Sequence, residues 1–199
     1  MPERAGPATD RPPLVLASGS PRRRWLLEQL GVRFEVFAVD IEERPHSGEL
    51  PAPFAQRMAD EKATAAAERR PAAWVLAADT VVALGDVALG KPRGREEAVA
   101  MLAQLSGRAH VVYTGIVLLR PAAVPAERAV VATRVSFRAL RAADIRAYVA
   151  SGEPLDKAGA YAIQGGGAHL VDRVEGSYTN VIGLPLAEVA AWLRAWQIR

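Results

Sequence analysis

The densest cluster of chemistry-bearing side chains is Ser18-Gly19-Ser20-Pro21-Arg22-Arg23-Arg24. Ser20 is a natural helix N-cap and Pro21 suits the first helical position. The three arginines therefore fall in a first helical turn, the positive end of the helix dipole, where each cation is unfavourable by roughly a few tenths of a kcal/mol. The pattern makes sense when an anion sits there, held by free N–H groups, the Ser18 and Ser20 hydroxyls and the Arg22 and Arg23 forks. Phosphate is the natural anion. The bland alternative is a set of solvated arginines that point away.

A second constellation is Ala77-Ala78-Asp79-Thr80, where an apolar run delivers a carboxylate and a hydroxyl to the expected end of a strand. Such a carboxylate can bind a divalent cation or act as a general base, and a strand-end Asp can equally form a turn. After a hairpin at Gly85-Asp86, Gly90-Lys91-Pro92 brings an ammonium that can return towards Asp79. Asp40-Ile41-Glu42-Glu43 offers further carboxylates, and the stretch bearing Arg57, Glu61 and Lys62 is placed to pack beside them. Acidic groups near an arginine cluster suggest a phosphate substrate arriving with a metal. His46, His110 and His169 lie far apart without ligand spacing and are read as structural or surface residues. With no cysteine either, zinc is not expected, and the fitting cofactor is a hard, oxygen-bound Mg²⁺ or Mn²⁺.

Only three of the 25 basic residues are lysines, Lys62, Lys91 and Lys157. A lysine kept in an arginine-rich chain can mark a place where a compact, flexible ammonium does what a planar guanidinium cannot. Lys157 belongs to Asp156-Lys157-Ala158-Gly159-Ala160-Tyr161-Ala162-Ile163-Gln164-Gly165-Gly166-Gly167, read as a site loop. Its glycines allow close backbone approach to a ligand, and Gln164 both donates and accepts, as reading a nucleobase edge requires. The triplet lacks the spacing of dinucleotide-binding or P-loop signatures.

These groups need elements to position them. The spacing predicts a strand over 14–17, a helix from 21 closed by Gly31 with Trp25, Leu26, Leu27 and Leu30 on its apolar face, and a strand over 33–39. A helix over 52–70, a strand over 72–78 and a hairpin over 81–89 follow. Further helices are expected over 96–105, 144–150 and 185–196, two long strands over 110–119 and 129–137 pair antiparallel, and one more strand covers 169–174. Helices that interrupt and flank a sheet make an α/β fold.

The 199 residues, 50% apolar and 24% charged, suffice for one domain over 13–199 behind a disordered tail over 1–12. Absent cysteine excludes disulfide scaffolds and thiol nucleophiles, and fits a cytoplasmic setting. No signal peptide is expected from residues 1–13, and no apolar run reaches bilayer length. A net charge of +3 and an aromatic content of 6% argue weakly for nucleic acid, because few rings are available for stacking.

The chain resembles the Maf family of nucleoside triphosphate pyrophosphatases, also called septum formation inhibitor proteins, over about residues 14–196. The resemblance rests on Leu16-Ala17-Ser18-Gly19-Ser20-Pro21-Arg22-Arg23, Ala78-Asp79-Thr80, Gly90-Lys91-Pro92, Leu105-Ser106-Gly107, Tyr113-Thr114-Gly115, the segment from Lys157 to Gly165, Gly176-Ser177-Tyr178 and the segment from Asn180 to Leu186. It implies an elongated mixed sheet flanked by helices, in two lobes with a central cleft, as in inosine triphosphatase. It also implies hydrolysis between the α- and β-phosphates of a nucleoside triphosphate to a monophosphate and pyrophosphate. Asp79 is then the proton acceptor, Glu43 its acidic companion at a divalent metal, Lys62 and Lys91 phosphate-side cations, and Arg22, Thr80 and Gln164 positions of substrate choice. The stretch from Tyr161 to Gln164 is like the branch acting on dTTP and UTP. The branch acting on 7-methyl-GTP typically has Ser-Phe-Lys and Glu there. A homodimer is implied as well. Departures are the long start of the chain, the third arginine Arg24, and Ala109 where a hydroxyl residue is often found. The rival readings are a nucleic-acid-binding regulator of cell division and a non-catalytic nucleotide sensor.

Overall fold

The computed structural model describes residues 11–198. Most of the expected tail over 1–12 lies outside them. The elements are β1 (Leu14–Leu16), α1 (Pro21–Glu28), β2 (Glu35–Val36), α2 (Pro51–Arg69), β3 (Trp74–Leu84), β4 (Val87–Leu89), α3 (Arg95–Leu105), β5 (Ala109–Arg120), β6 (Val124–Phe137), α4 (Ala142–Ala150), β7 (Val171–Glu175), α5 (Tyr178–Ile182) and α6 (Leu186–Ala195). Seven strands form one mixed sheet in the order β2-β1-β3-β5-β6-β7, with β4 beside β3. Helices pack against it, and the expected α/β class holds.

β3 is the strand that matters most. On one side it pairs with β5 along its length, from Val75 against Leu119 to Ala83 against Val111. On the other it pairs with β1 only at Trp74, Val75 and Leu76 and with β4 only at Val82, Ala83 and Leu84. Residues 77–81 thus present an open edge in the middle of a strand otherwise paired on both sides. β1 stops there because Ser18 and Pro21 turn the chain into α1, whose cap is the bond from the Arg23 N–H to the Ser20 hydroxyl.

The two faces of β3 are packed differently. Val75 and Ala77 meet the alanine stripe of α2, including Ala59, Ala63 and Ala66, and Val81 meets Phe54 and Met58. Small side chains let α2 lie close: a Cβ on Gly115 in β5 would collide with the Ala55 carbonyl, so this position takes only glycine. Leu76, Ala78 and Val82 point the other way, into the larger core with Leu26, Leu102, Ile116 and Leu193.

Several expectations need correction. Strand 72–78 and the first arm of the hairpin are one strand of 11 residues, because continuous pairing to β5 carries β3 through Asp79-Thr80. Asp79 therefore sits in mid-strand, at the open edge, and forms no turn. The strand over 33–39 shrinks to Glu35–Val36, paired only with β1, which itself has just three residues. Trp25 is exposed, so the buried face of α1 is Leu26 and Leu27. The short helix α5, capped by the Ser177 hydroxyl on the Asn180 N–H, occupies a stretch for which the spacing predicts no element.

Candidate active site

The open edge of β3 borders a cavity of about 720 Å³ whose walls include Ser18, Ser20, Arg22, Arg23, Glu43, Lys62, Asp79, Thr80, Lys91 and Gln164. These ten are the residues given individual site roles from the sequence; Asp40, Glu42 and the glycine triplet are not among its walls. Alternation along β3 divides the ten. Asp79 lies on the α2 face and Thr80 on the other, so the cavity reaches both faces around the unpaired edge.

On the α2 face Lys62, one turn beyond Met58 on the buried side of α2, donates to Glu43 Oε1 at 2.5 Å and to Asp79 Oδ1 at 2.6 Å. Lys62 and Asp79 are buried, whereas the Glu43 side chain is 41% exposed. Burial alone would push the Glu43 carboxyl up. The Lys62 bond and the charges of Lys62, Lys91 and Arg23 outweigh it and hold the group below its ordinary range. Glu43 comes from a loop pinned to α2 by Arg57, which donates to Glu49 at 2.7 and 2.6 Å, to Glu61 at 2.8 Å and to the Arg44 carbonyl at 2.8 Å. Asp79's ammonium partner is thus Lys62, where Lys91 was expected to return. Lys91 instead stands 3.7 Å from Glu43 with most of its side chain in solvent.

On the other face the Arg23 guanidinium organises a network of uncharged acceptors. Its Nε donates to the Gly183 carbonyl at 2.8 Å, Nη1 to the Ser18 hydroxyl at 3.2 Å and Nη2 to the Thr80 hydroxyl at 3.1 Å. Thr80 Oγ1 lies 3.0 Å from Thr114 Oγ1, which donates to the Asn180 carbonyl. Buried Asn180 in turn donates to the Val112 carbonyl and to Thr133. Arg22 also lines the cavity, while Arg24 turns outward to an exposed ion pair with Glu28. The arginine cluster is therefore split. Two members face inward, against the reading in which all three point away.

The far end is lined by Tyr161, Ala162, Ile163 and Gln164. Tyr161 is buried, with its hydroxyl 2.8 Å from His110 Nε2, and both rings stack edge-on with Phe137. Burial pushes the Tyr161 hydroxyl up and the His110 imidazole down to about 4. The Ala162 N–H donates to the Tyr148 hydroxyl at 3.1 Å. The glycine triplet does not approach the cavity: the Gly166 N–H donates to Glu153, and side chains at 165, 166 or 167 would collide with Glu153 or the Tyr148 hydroxyl. Its close approach is internal, fixing the chain that follows Gln164.

Lys157 and Asp156, which open the segment read as a site loop, also line the cavity, so all three lysines of the chain do, as the rarity of lysine suggested. Sequence reasoning missed one thing. The supports Tyr148, His110 and Asn180 are distant in sequence from what they hold, and no local pattern marks them.

The site is thus a cavity at the open edge of a mixed α/β sheet, with arginines and lysines set against the carboxylates of Glu43, Asp79 and Asp156. The fold is similar to that of a HAM1 protein from Coxiella burnetii, with a TM-score of 0.51 at 16% identity, covering 92% of this chain and 99% of that one. The sequence pattern described as Maf-like protein matches residues 13–196, and the chain belongs to this family. It is 60% identical over 184 residues to a protein named dTTP/UTP pyrophosphatase from Myxococcus xanthus, covering 92% of each. A relative of the same name from Geobacter metallireducens is 51% identical over 91% of this chain and 94% of its own length. No helix among the described residues is long and apolar enough to cross a membrane.

Proposed function

We propose that this chain is a pyrophosphatase of dTTP and UTP that hydrolyses the bond between the α- and β-phosphates, giving the nucleoside monophosphate and pyrophosphate. The observation that carries the reading is the gathering of Asp79 and Glu43 by one buried lysine, inside a cavity whose other walls offer arginines, serine hydroxyls and Gln164. The names of the relatives support the pyrimidine assignment.

In this mechanism Asp79 takes a proton from water as the water oxygen bonds to the α-phosphorus. The bond from that phosphorus to the bridging oxygen breaks, and pyrophosphate leaves with the electron pair. Ser18, Ser20, Arg22 and Arg23 hold phosphate oxygens, and Lys91 is free enough to join them. Lys62 serves differently. Two of its donors are committed to Glu43 and Asp79, so it holds the carboxylates in register. Thr80 acts on substrate choice through Arg23, to which its hydroxyl is bonded, and Gln164 reads the base edge.

Glu43 and Asp79 suit a divalent cation. Their carboxylates converge on one ammonium, each keeps an oxygen outside the Lys62 bonds, and Mg²⁺ characteristically takes one or two carboxylates plus substrate phosphates. Among the described residues no group of three or more potential ligands comes together, so Glu43 and Asp79 would hold such an ion only together with donors from the substrate and solvent. When bound there, Mg²⁺ or Mn²⁺ would neutralise charge on the phosphates. The setting on this reading is the cytoplasm, the assembly a homodimer, with one domain over 13–199.

The test is pyrophosphate release from a panel of canonical and modified nucleoside triphosphates, with Mg²⁺, Mn²⁺ or chelator. The expected result is metal-dependent release, fastest from dTTP and UTP. Nucleotide binding without release would instead favour a sensor, and release of single phosphates a different reaction.

A further inference from the structure

Lys157 has no part in the mechanism above, yet its placement is unusual. Its side chain is only 13% exposed, and its ion-pair partner is its own neighbour Asp156, whose side chain is 75% exposed. An enclosed ammonium needs an anion, and an exposed carboxylate one residue away is a poor permanent choice, since water competes for it. Both residues line the cavity. The segment is fixed: the Gly159 N–H donates to the Gly90 carbonyl at 3.0 Å, next to Lys91. At Gly159 φ is +67°, and a Cβ there would run into Val82.

That contact places the segment. Val82 belongs to the face of β3 opposite Asp79, so Lys157 approaches from the side away from the Asp79–Lys62 pair. In-line displacement requires the attacking and leaving oxygens on opposite sides of the phosphorus. The base stands on one face of β3 and a spare cation comes from the other.

We propose that Lys157 binds the β- and γ-phosphates that depart as pyrophosphate, and that Asp156 is an internal anion which those phosphates displace. This rests on the reading that the chain cleaves nucleoside triphosphates between the α- and β-phosphates. The two residues then have opposite effects: Lys157 strengthens the grip on the leaving group, and Asp156 weakens it by competition.

The experiment is calorimetric titration of the full chain with inorganic pyrophosphate and, separately, with dTMP, alongside dTTP kinetics, for Lys157→Gln, Lys157→Arg and Asp156→Asn. Lys157→Gln is expected to weaken pyrophosphate about tenfold, a loss typical of one charge-assisted contact, while dTMP changes less than about twofold. Lys157→Arg recovers part of the loss, and Asp156→Asn tightens pyrophosphate and lowers KM for dTTP. The proposal is overturned if pyrophosphate affinity of Lys157→Gln stays within about twofold of the parent, if dTMP weakens equally, or if Asp156→Asn weakens pyrophosphate. Should Lys157→Gln fail to fold, the exposed Asp156→Asn change carries the test by its sign. If the unaltered chain releases no pyrophosphate from any nucleotide, the underlying reading fails too; if it does and the variants do not respond, only the Lys157 assignment fails.

Discussion

At one end of the cavity Lys62 is gripped between Glu43 and Asp79 at 2.5 and 2.6 Å. At the other, Tyr161 meets His110 and the Ala162 N–H meets Tyr148, through neutral bonds among packed rings. The first end is held by charge and the second by shape. On the proposed function, a carboxylate that takes a proton has to sit among charges that can respond, whereas a wall that reads a base only has to stay where it is. The two ends should therefore fail in different ways, and that difference can be tested.

The largest effect is expected from Asp79→Asn, which keeps the shape and removes the proposed proton acceptor. Turnover of dTTP should fall by about 10³-fold with nucleotide binding retained, read by pyrophosphate release and calorimetry. Next, Lys62→Met leaves two carboxylates facing each other without their shared cation. Denaturant unfolding should show a loss of about 3 kcal/mol, the low end for a broken buried pair because Glu43 is 41% exposed. Acid should narrow the deficit as Glu43, which Lys62 helps to hold below its ordinary range, protonates.

The far end predicts its own pH dependence. Folded His110 binds its proton only near pH 4, against the ordinary 6.5 of an unfolded chain. Between those values the unfolded state binds more protons, so the stabilisation is fully present above about 6.5 and is lost as pH falls to about 4, by about 3 kcal/mol in all. Melts across this window should show the slope, and His110→Phe should flatten it. The smallest effect belongs to Tyr148→Phe, which strips the acceptor from the buried Ala162 N–H. A loss of about 1–2 kcal/mol is expected, with KM for dTTP rising more than kcat falls. Gln164→Glu sharpens the comparison by charge: pyrimidine triphosphates should suffer more than purine ones, whereas equal losses would make Gln164 structural.

Much of the charged end was legible in the sequence, because its signals are local. Ser20-Pro21 starts a helix wherever it lies, and cations in that first turn need an anion. The Asp79-Thr80 step was visible too, but its position was misjudged. Whether a strand ends after an apolar run depends on its partners, and β5 carries β3 past Asp79 while β1 and β4 leave that one edge open. The exchange of Lys62 for Lys91 at Asp79 has the same origin, since only the packing of α2 on β3 decides which ammonium arrives. The glycine triplet misled for a physical reason: close backbone approach leaves the same sequence mark whether the neighbour is a ligand or, as here, Glu153 and Tyr148.

The central claim, attack at the α-phosphorus from the Asp79 side with pyrophosphate leaving, is tested most directly by hydrolysing dTTP in ¹⁸O-labelled water and locating the label by mass spectrometry. The account predicts the heavy oxygen in dTMP and none in pyrophosphate. Label in pyrophosphate, or in free phosphate, would contradict it.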